Sequence, residues 1–203
     1  MIPKGWEIGH FMEYVSVLSG GTPKTTESEY WNGEIPFFTP KDCKSLYCID
    51  TEKNITENGL NRCNSQLYDI NTVFITARGT VGKVALAGSK MAMNQSCYAL
   101  IGINNVNQYA TYFFTKQAVE QLRSNASGSV FDAIIVDTFK PIKLVRPINN
   151  QLDRFENIVR SMFDKILTNH LENKKMQETR DTLLPKIMSG EIRIPIIGTE
   201  VQE

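Results

Sequence analysis

Residues 152–187, LDRFENIVRSMFDKILTNHLENKKMQETRDTLLPKI, carry Leu152, Phe155, Val159, Met162, Ile166, Asn169, Asn173, Met176, Arg180, Leu183 and Ile187 at spacings that alternate between three and four without a break. This is the seam of a coiled-coil helix. Asn149 or Asn150 can cap its start, Asp153 falls in its first turn, and Pro185 and Gly190 mark its end. A helix over 150–184 would be roughly 50 Å long at about 1.5 Å per residue. Such a helix needs a partner along its seam, unless it lies back on its own domain. Both ends of the seam are apolar, whereas Asn169, Asn173 and Arg180 make its middle polar. Polar seam residues cost stability and fix register, which suits a specific pairing such as two identical antiparallel helices.

Before Pro147 the pattern changes. Short β-rich runs at 71–76, 83–87, 96–101, 133–136 and 142–145 are separated by Arg78-Gly79, Gly88-Ser89 and Ser127-Gly128. Val15 to Leu18 is expected to close a short helix, and Gln108 to Arg123 a longer one with Tyr109, Tyr112, Phe113, Ala118 and Leu122 near one face. The expectation is an α+β chain: a strand-rich domain over 1–147, one long helix over 148–190, and a tail over 191–203.

Composition bounds what such a chain can do. Its 203 residues are 41% hydrophobic and 22% charged, with 22 cations against 22 carboxylates. That is a globular composition, and no run approaches the roughly 20 apolar residues of a membrane span. The N-terminus lacks the apolar stretch of a secretory signal, so the cytoplasm is expected. Cys43, Cys48, Cys63, Cys97, His10 and His170 form neither CxxC nor HxxxH pairs, and reduced thiols without a metal are expected. Zero net charge also bears on DNA. A protein that grips DNA alone normally carries a basic excess, because affinity comes largely from neutralising phosphates.

Catalytic signatures are missing from the sequence. Gly20-Gly21-Thr22-Pro23-Lys24-Thr25 and Gly79-Thr80-Val81-Gly82-Lys83 have the wrong spacing for a phosphate-wrapping loop, and there is no GxSxG, HExxH or Asn/Asp-Pro-Pro-aromatic motif. A non-enzyme is expected. The same loops suit a nucleic acid. Thr22, Lys24 and Thr25 offer hydroxyls, a cation and neighbouring backbone N–H groups to phosphate. Thr39, Lys41, Arg78, Thr80 and Lys83 stand at strand ends, and Arg is suited to bidentate reading of guanine. Asn94 and Gln95 could pair with adenine or could satisfy a turn. Tyr30-Trp31-Asn32-Gly33 could stack on a base or join the core.

Taken together, several stretches resemble one family, the DNA-specificity subunits of type I restriction-modification systems. They are Pro3-Lys4-Gly5-Trp6-Glu7, Ser19-Gly20-Gly21-Thr22-Pro23, Tyr30-Trp31-Asn32-Gly33-Glu34-Ile35-Pro36-Phe37, Ile55-Thr56-Glu57-Asn58-Gly59-Leu60, Arg78-Gly79-Thr80-Val81-Gly82, Asn94-Gln95, and Arg180 through Ile192. The resemblance implies a target recognition domain that reads double-stranded DNA, followed by one helix of a spacer coiled coil. It implies no cofactor in this chain: a methyltransferase subunit would bring the S-adenosylmethionine site, and a motor-nuclease subunit would join for cleavage. Family members usually hold two such units, whereas one recognition domain and one helix are present here. A homodimer through Leu152, Phe155, Val159, Met162, Ile166, Asn169, Asn173, Met176 and Leu183 is therefore expected. A silent half-subunit acting only as a scaffold is the alternative, and a stand-alone modification enzyme is disfavoured by the missing motifs.

Overall fold

A computed structural model of the chain describes residues 2–125 and 133–193. Among the described residues, ten strands are organised into three small sheets. The central one has the order β2 (Val15–Ser19), β9 (Cys97–Gly102), β6 (Val73–Thr76), β7 (Val84–Ala87), β4 (Tyr47–Cys48), antiparallel except for the β4–β7 edge. A second joins β5 (Asn54–Ile55), β3 (Trp31–Phe38) and β8 (Ala92–Met93), and a third pairs β1 (Glu7–His10) with β10 (Lys143–Arg146). The helices are α1 (Phe11–Tyr14), α2 (Glu57–Asn61), α3 (Gln108–Asn125) and α4 (Asn149–Met188). The chain is α+β, as its sequence pattern predicts.

Every residue of β6 is buried, and its apolar side chains meet the core from both faces. Phe74 tilts against Phe38 at a 4.8 Å centroid separation and receives the edge of Tyr68 at 5.6 Å. Met91, Met93, Cys43, Cys48, Cys97 and three alanines complete that cluster. α3 lies against β9, β7 and β6 and buries Tyr109, Phe114, Ala118, Val119 and Leu122. Phe113, expected on the same face, is 47% exposed because it sits one position off the buried stripe.

Three expectations are corrected. Val15 to Leu18 is strand β2 rather than the end of a helix. The helix is Phe11–Tyr14, and the β-branched run that follows bonds along its length to β9 from Val15↔Gly102 to Ser19↔Tyr98. Residues 133–136 make no strand beyond a single bridge between Ala133 and Arg78. Ile134 is buried and bonds the Ala77 carbonyl, and Val136–Phe139 then turns as a 3₁₀ segment, with the Ile135 N–H donating to Thr138 Oγ1. Pro185 stands inside α4, which ends instead near Gly190, a residue with φ +76°, the left-handed conformation that closes helices. At the other end the Ile148 carbonyl accepts the first helical bonds, and Asn149 is already helical. The turn at Ser127-Gly128, and the tail beyond Arg193, lie outside the described residues.

The chain divides into two units, Met1–Asp164 and Lys165–Glu203, so the opening turns of α4 pack with the strand-rich domain although the sequence pattern changes at Pro147. Leu152 is 2% exposed and Phe163 is 6% exposed. The Phe163 ring meets Tyr109 at 4.7 Å, Tyr112 at 6.1 Å, Phe113 at 6.3 Å and Tyr47 at 6.5 Å.

Burial also sets a pH dependence. It pushes the Cys43 thiol up to about 11 and the Cys48 thiol up to about 12, from an ordinary value of 9.0, and raises Cys97 in the same direction. The Tyr68 hydroxyl is pushed up to about 12 by the same cause. The fold holds these groups neutral, so their contribution is complete below the unfolded thiol value and is lost as pH rises through the folded values. The urea midpoint is expected to stay flat up to about pH 9 and to fall between about pH 9 and about pH 12. A midpoint constant across that alkaline window would contradict the burial of the three thiols.

Candidate nucleic-acid interface

Five separated loop segments and strand β3 converge on one open groove of about 430 Å³, lined by Thr22, Thr25, Trp31, Phe37, Thr39, Pro40, Lys41, Glu52, Lys53, Arg78, Gly79, Asn94, Gln95 and Ser96. Trp31 forms one wall. Its Nε1–H donates to the Lys24 carbonyl at 3.1 Å, its ring meets Phe37 edge-on at 5.6 Å, and Lys53 Nζ lies 5.5 Å from its centroid. Of the aromatics in the 30–33 stretch, Trp31 is half-buried: it packs against the Phe37, Ile55 and Ala92 cluster and also lines the groove. The indole stands there because β3 carries a register shift between Trp31 and Ile35, both opposite Ile55.

Asp42 builds the second wall. It is 6% exposed and accepts from the Thr39 backbone N–H at 2.8 Å, the Thr39 hydroxyl at 2.7 Å and the Glu52 N–H at 2.9 Å. The Thr39 hydroxyl proton is thus committed to the loop, and Lys41 Nζ faces Glu52 at 3.4 Å in a pair exposed on both sides. Such a pair contributes about 1 kcal/mol or less and opens readily to a phosphate. In the third loop Asn94 Oδ1 accepts from the Ser96 N–H at 3.0 Å, while Gln95 receives the Thr22 hydroxyl on Oε1. The Asn94 amide oxygen therefore holds the turn, and the exposed Gln95 side chain points to the groove side.

Arg78 opens the β6–β7 turn. Its backbone is fixed by Arg78 N–H to the Ser96 carbonyl at 3.2 Å and by the bridge to Ala133. Its guanidinium is exposed and makes no hydrogen bond or ion pair among the described residues. Gly79 and Gly82 have φ +79° and +76°, so the turn needs glycine at both places. Buried Thr76 closes it, accepting from the Lys83 N–H at 3.0 Å and donating to the Thr80 carbonyl. The outcome is a turn fixed by backbone bonds that presents the exposed Arg78 side chain to the groove.

The structure therefore brings Thr22, Thr25, Thr39, Lys41, Arg78, Asn94 and Gln95 together. Lys24 joins through its carbonyl, and its side chain is exposed beside the groove. Thr80 and Lys83 do not line it. Lys83 lines a second cleft. Gly20 and Gly21 depart from expectation as well: both are buried, and the Gly21 N–H is spent on the Met93 carbonyl. A Cβ on Gly20 would stand 2.2 Å from the Asn94 carbonyl oxygen, and one on Gly21 would stand 2.5 Å from Asn64 N. The pair is glycine because backbones cross there, and it positions the Asn94–Gln95 loop without itself offering donors. Glu52, Lys53 and Ser96 are groove residues that sequence reasoning missed, as is Asp42, which fixes Thr39 and Glu52 from beneath. Lys53 reaches it only through the β3–β5 pairing, which leaves no local signal.

Along α4 the seam residues differ in exposure. Leu152 is buried, Phe155, Val159 and Ile166 are half-buried, Asn169 and Asn173 are exposed, and Met162, Met176 and Leu183 are 57%, 61% and 40% exposed. Among the described residues no cluster of His, Cys, Asp or Glu could hold a metal, and no helix is long and apolar enough to cross a membrane.

A rigid α+β scaffold that gathers an indole, amides, hydroxyls and cations from separate loops into one groove defines a binding module of the loop-built kind. Residues 3–179 match the type I restriction modification DNA specificity domain, and the chain belongs to that family. It is 32% identical over 181 residues to the type I restriction enzyme MjaIX specificity subunit of Methanocaldococcus jannaschii, covering 87% of this chain and 41% of that protein. It is 27% identical over 195 residues to the HindI specificity subunit of Haemophilus influenzae, covering 94% of this chain and 42% of that protein. In fold it is similar to the type I restriction-modification S subunit from M. genitalium, with a TM-score of 0.63 at 18% identity over 96% of this chain and 47% of that one. The chain thus spans less than half the length of these relatives.

Proposed function

We propose that this chain is a sequence-reading unit of a type I restriction-modification complex, with the groove between Thr22 and Arg78 reading base edges of double-stranded DNA. The observation that carries the reading is the convergence of Arg78, Gln95 and Lys41 from three loops, with Trp31 from β3, onto one groove. Arg reads guanine and Gln reads adenine bidentately, and the hydroxyls and lysines suit phosphate. The unit contributes recognition and no chemistry of its own. A methyltransferase subunit carries S-adenosylmethionine, and a motor-nuclease subunit completes the complex, all in the cytoplasm.

The second half of the reading is pairing through α4. Leu152 is occupied within its own unit, which leaves Met162, Ile166, Asn169, Asn173, Met176 and Leu183 for a second copy. Read antiparallel, this set is nearly symmetrical about Asn169, with Met162 opposite Met176 and Ile166 opposite Asn173. Light scattering is expected to give twice 23.0 kDa for the chain. Ile166→Asp combined with Met176→Asp should give a monomer with unchanged circular dichroism, because each aspartate would bury an unpaired charge. A monomeric parent chain, or a dimeric double variant, would remove the pairing from the proposal.

A further inference from the structure

A second cleft, separate from the groove, is lined by Cys43, Ser45, Gly82 and Val119 together with Lys44, Lys83, Lys116 and Arg123, against the single carboxylate of Glu120. In a chain of zero net charge this concentrates a net three positive charges in one concavity of about 290 Å³. All four cations are exposed, and none has an ion-pair partner among the described residues, whereas Lys41, Lys90, Lys140 and Arg160 each face a carboxylate. The C-terminal end of α3 adds about half an elementary negative charge nearby, too little to cancel them.

The cleft is built by the same loops as the groove. Residues 39–41 line the groove and 43–45 line the cleft; residues 78–79 line the groove and 82–83 line the cleft. Arg78 and Lys83 are five residues apart, so their Cα atoms are separated by at most about 17 Å, and those of Lys41 and Lys44 by at most about 10 Å. Phosphates recur every ~3.4 Å of axis along each DNA strand, so the backbone flanking the bases read in the groove offers anions at the spacing that separates the two concavities along these loops. The 78–83 turn is held by Arg123, whose Nη2 donates to the Gly82 carbonyl at 3.4 Å, and by Thr76, whose hydroxyl accepts from the Lys83 N–H.

We infer that the Lys44–Lys83–Lys116–Arg123 cleft is a sequence-independent phosphate-binding site for the DNA backbone flanking the bases read in the groove. This rests on the proposed DNA-reading function and adds to it a grip supplied by this chain itself. A shared pair of loops favours DNA over an acidic protein surface, which has no reason to adjoin the reading groove.

The test uses the full chain, a mixed-sequence duplex and a polyglutamate control, with binding titrated over a range of salt. Lys44→Gln combined with Lys116→Gln avoids the groove and the Arg123 bond. Removing two phosphate contacts should lower the slope of log affinity against log salt by about 1.8, corresponding to roughly 60-fold weaker binding at about 0.1 M salt, alike for every sequence. DNA should also protect Lys44 and Lys116, but not Lys140, from acetylation read by mass spectrometry. Binding with an unchanged slope and unprotected lysines would overturn this site while leaving the groove reading intact. Lost polyglutamate binding with an unchanged DNA slope would reassign the cleft to an acidic protein and overturn it equally. No binding to any duplex at low salt would overturn the site and the DNA-reading function together.

Discussion

Replacing Phe163 with alanine is expected to lower the unfolding free energy by about 3 to 5 kcal/mol, whereas the same change at its neighbour Met162 should cost about 0.5 kcal/mol or less within the domain. Phe163 is 6% exposed, and its ring contacts four other aromatic rings from α3 and β4, so truncation leaves a cavity that no neighbouring main chain is free to fill. Met162 is 57% exposed and leaves none. The two losses should also differ in kind. The Phe163 effect belongs to the fold of one chain and should be independent of protein concentration in urea titrations. A Met162 effect, if the proposed pairing exists, should appear as weaker self-association. Equal losses at the two positions, or a larger one at Met162, would mean that α4 packs on the domain by the other stripe.

That contrast shows where the sequence was legible and where it was not. The length of α4 could be read from its unbroken periodicity, but the register of its first turns could not. A seam read at 3.5 residues per repeat passes through Met162. A straight helix laid on a domain repeats at about 3.6, a drift of ~20° per heptad, which between Leu152 and Phe163 turns the contact stripe away from Met162 and toward Phe163. β6, β7, β9 and β10 were legible because each is a short β-branched or apolar run bounded by turn residues. β2 was not, since four residues such as Val15-Ser16-Val17-Leu18 suit either structure, and the decision rests with the distant partner β9. The 133–136 run failed in the opposite sense: its β-branched residues find only one bridge before Thr138 caps a turn.

The site shows the same division. Residue chemistry singled out Arg78, Lys41, Thr22, Asn94 and Gln95, but nothing local could say that they meet, or that Lys83 lines a different cleft. Nor could it say that Thr39 and Asn94 spend polar atoms on their own loops, which needs the Asp42 and Ser96 geometry. The glycines at 20 and 21 were noticed for the wrong reason. Their role is to let two backbones cross beneath the Asn94–Gln95 loop, a contact between segments far apart in sequence.

The second large effect is expected at Arg78, and it bears on the central claim that this groove reads DNA sequence. Its backbone is pinned by Ser96 and Ala133, and its guanidinium is exposed without a partner among the described residues, so Arg78→Ala should leave the fold intact. What it should remove is discrimination: a bidentate contact to one base pair contributes about 1 to 3 kcal/mol, or roughly 5- to 150-fold in preference at that position. The most direct measurement is selection of bound duplexes from a random-sequence pool by the parent chain and by Arg78→Ala, with methyltransferase subunit present in both, followed by sequencing of the bound fraction. The predicted result is a defined sequence enriched by the parent, and the same sequence with one position relaxed for the variant. A parent chain that retains DNA without enriching any sequence, or a variant whose enriched sequence is unchanged at every position, would contradict the account.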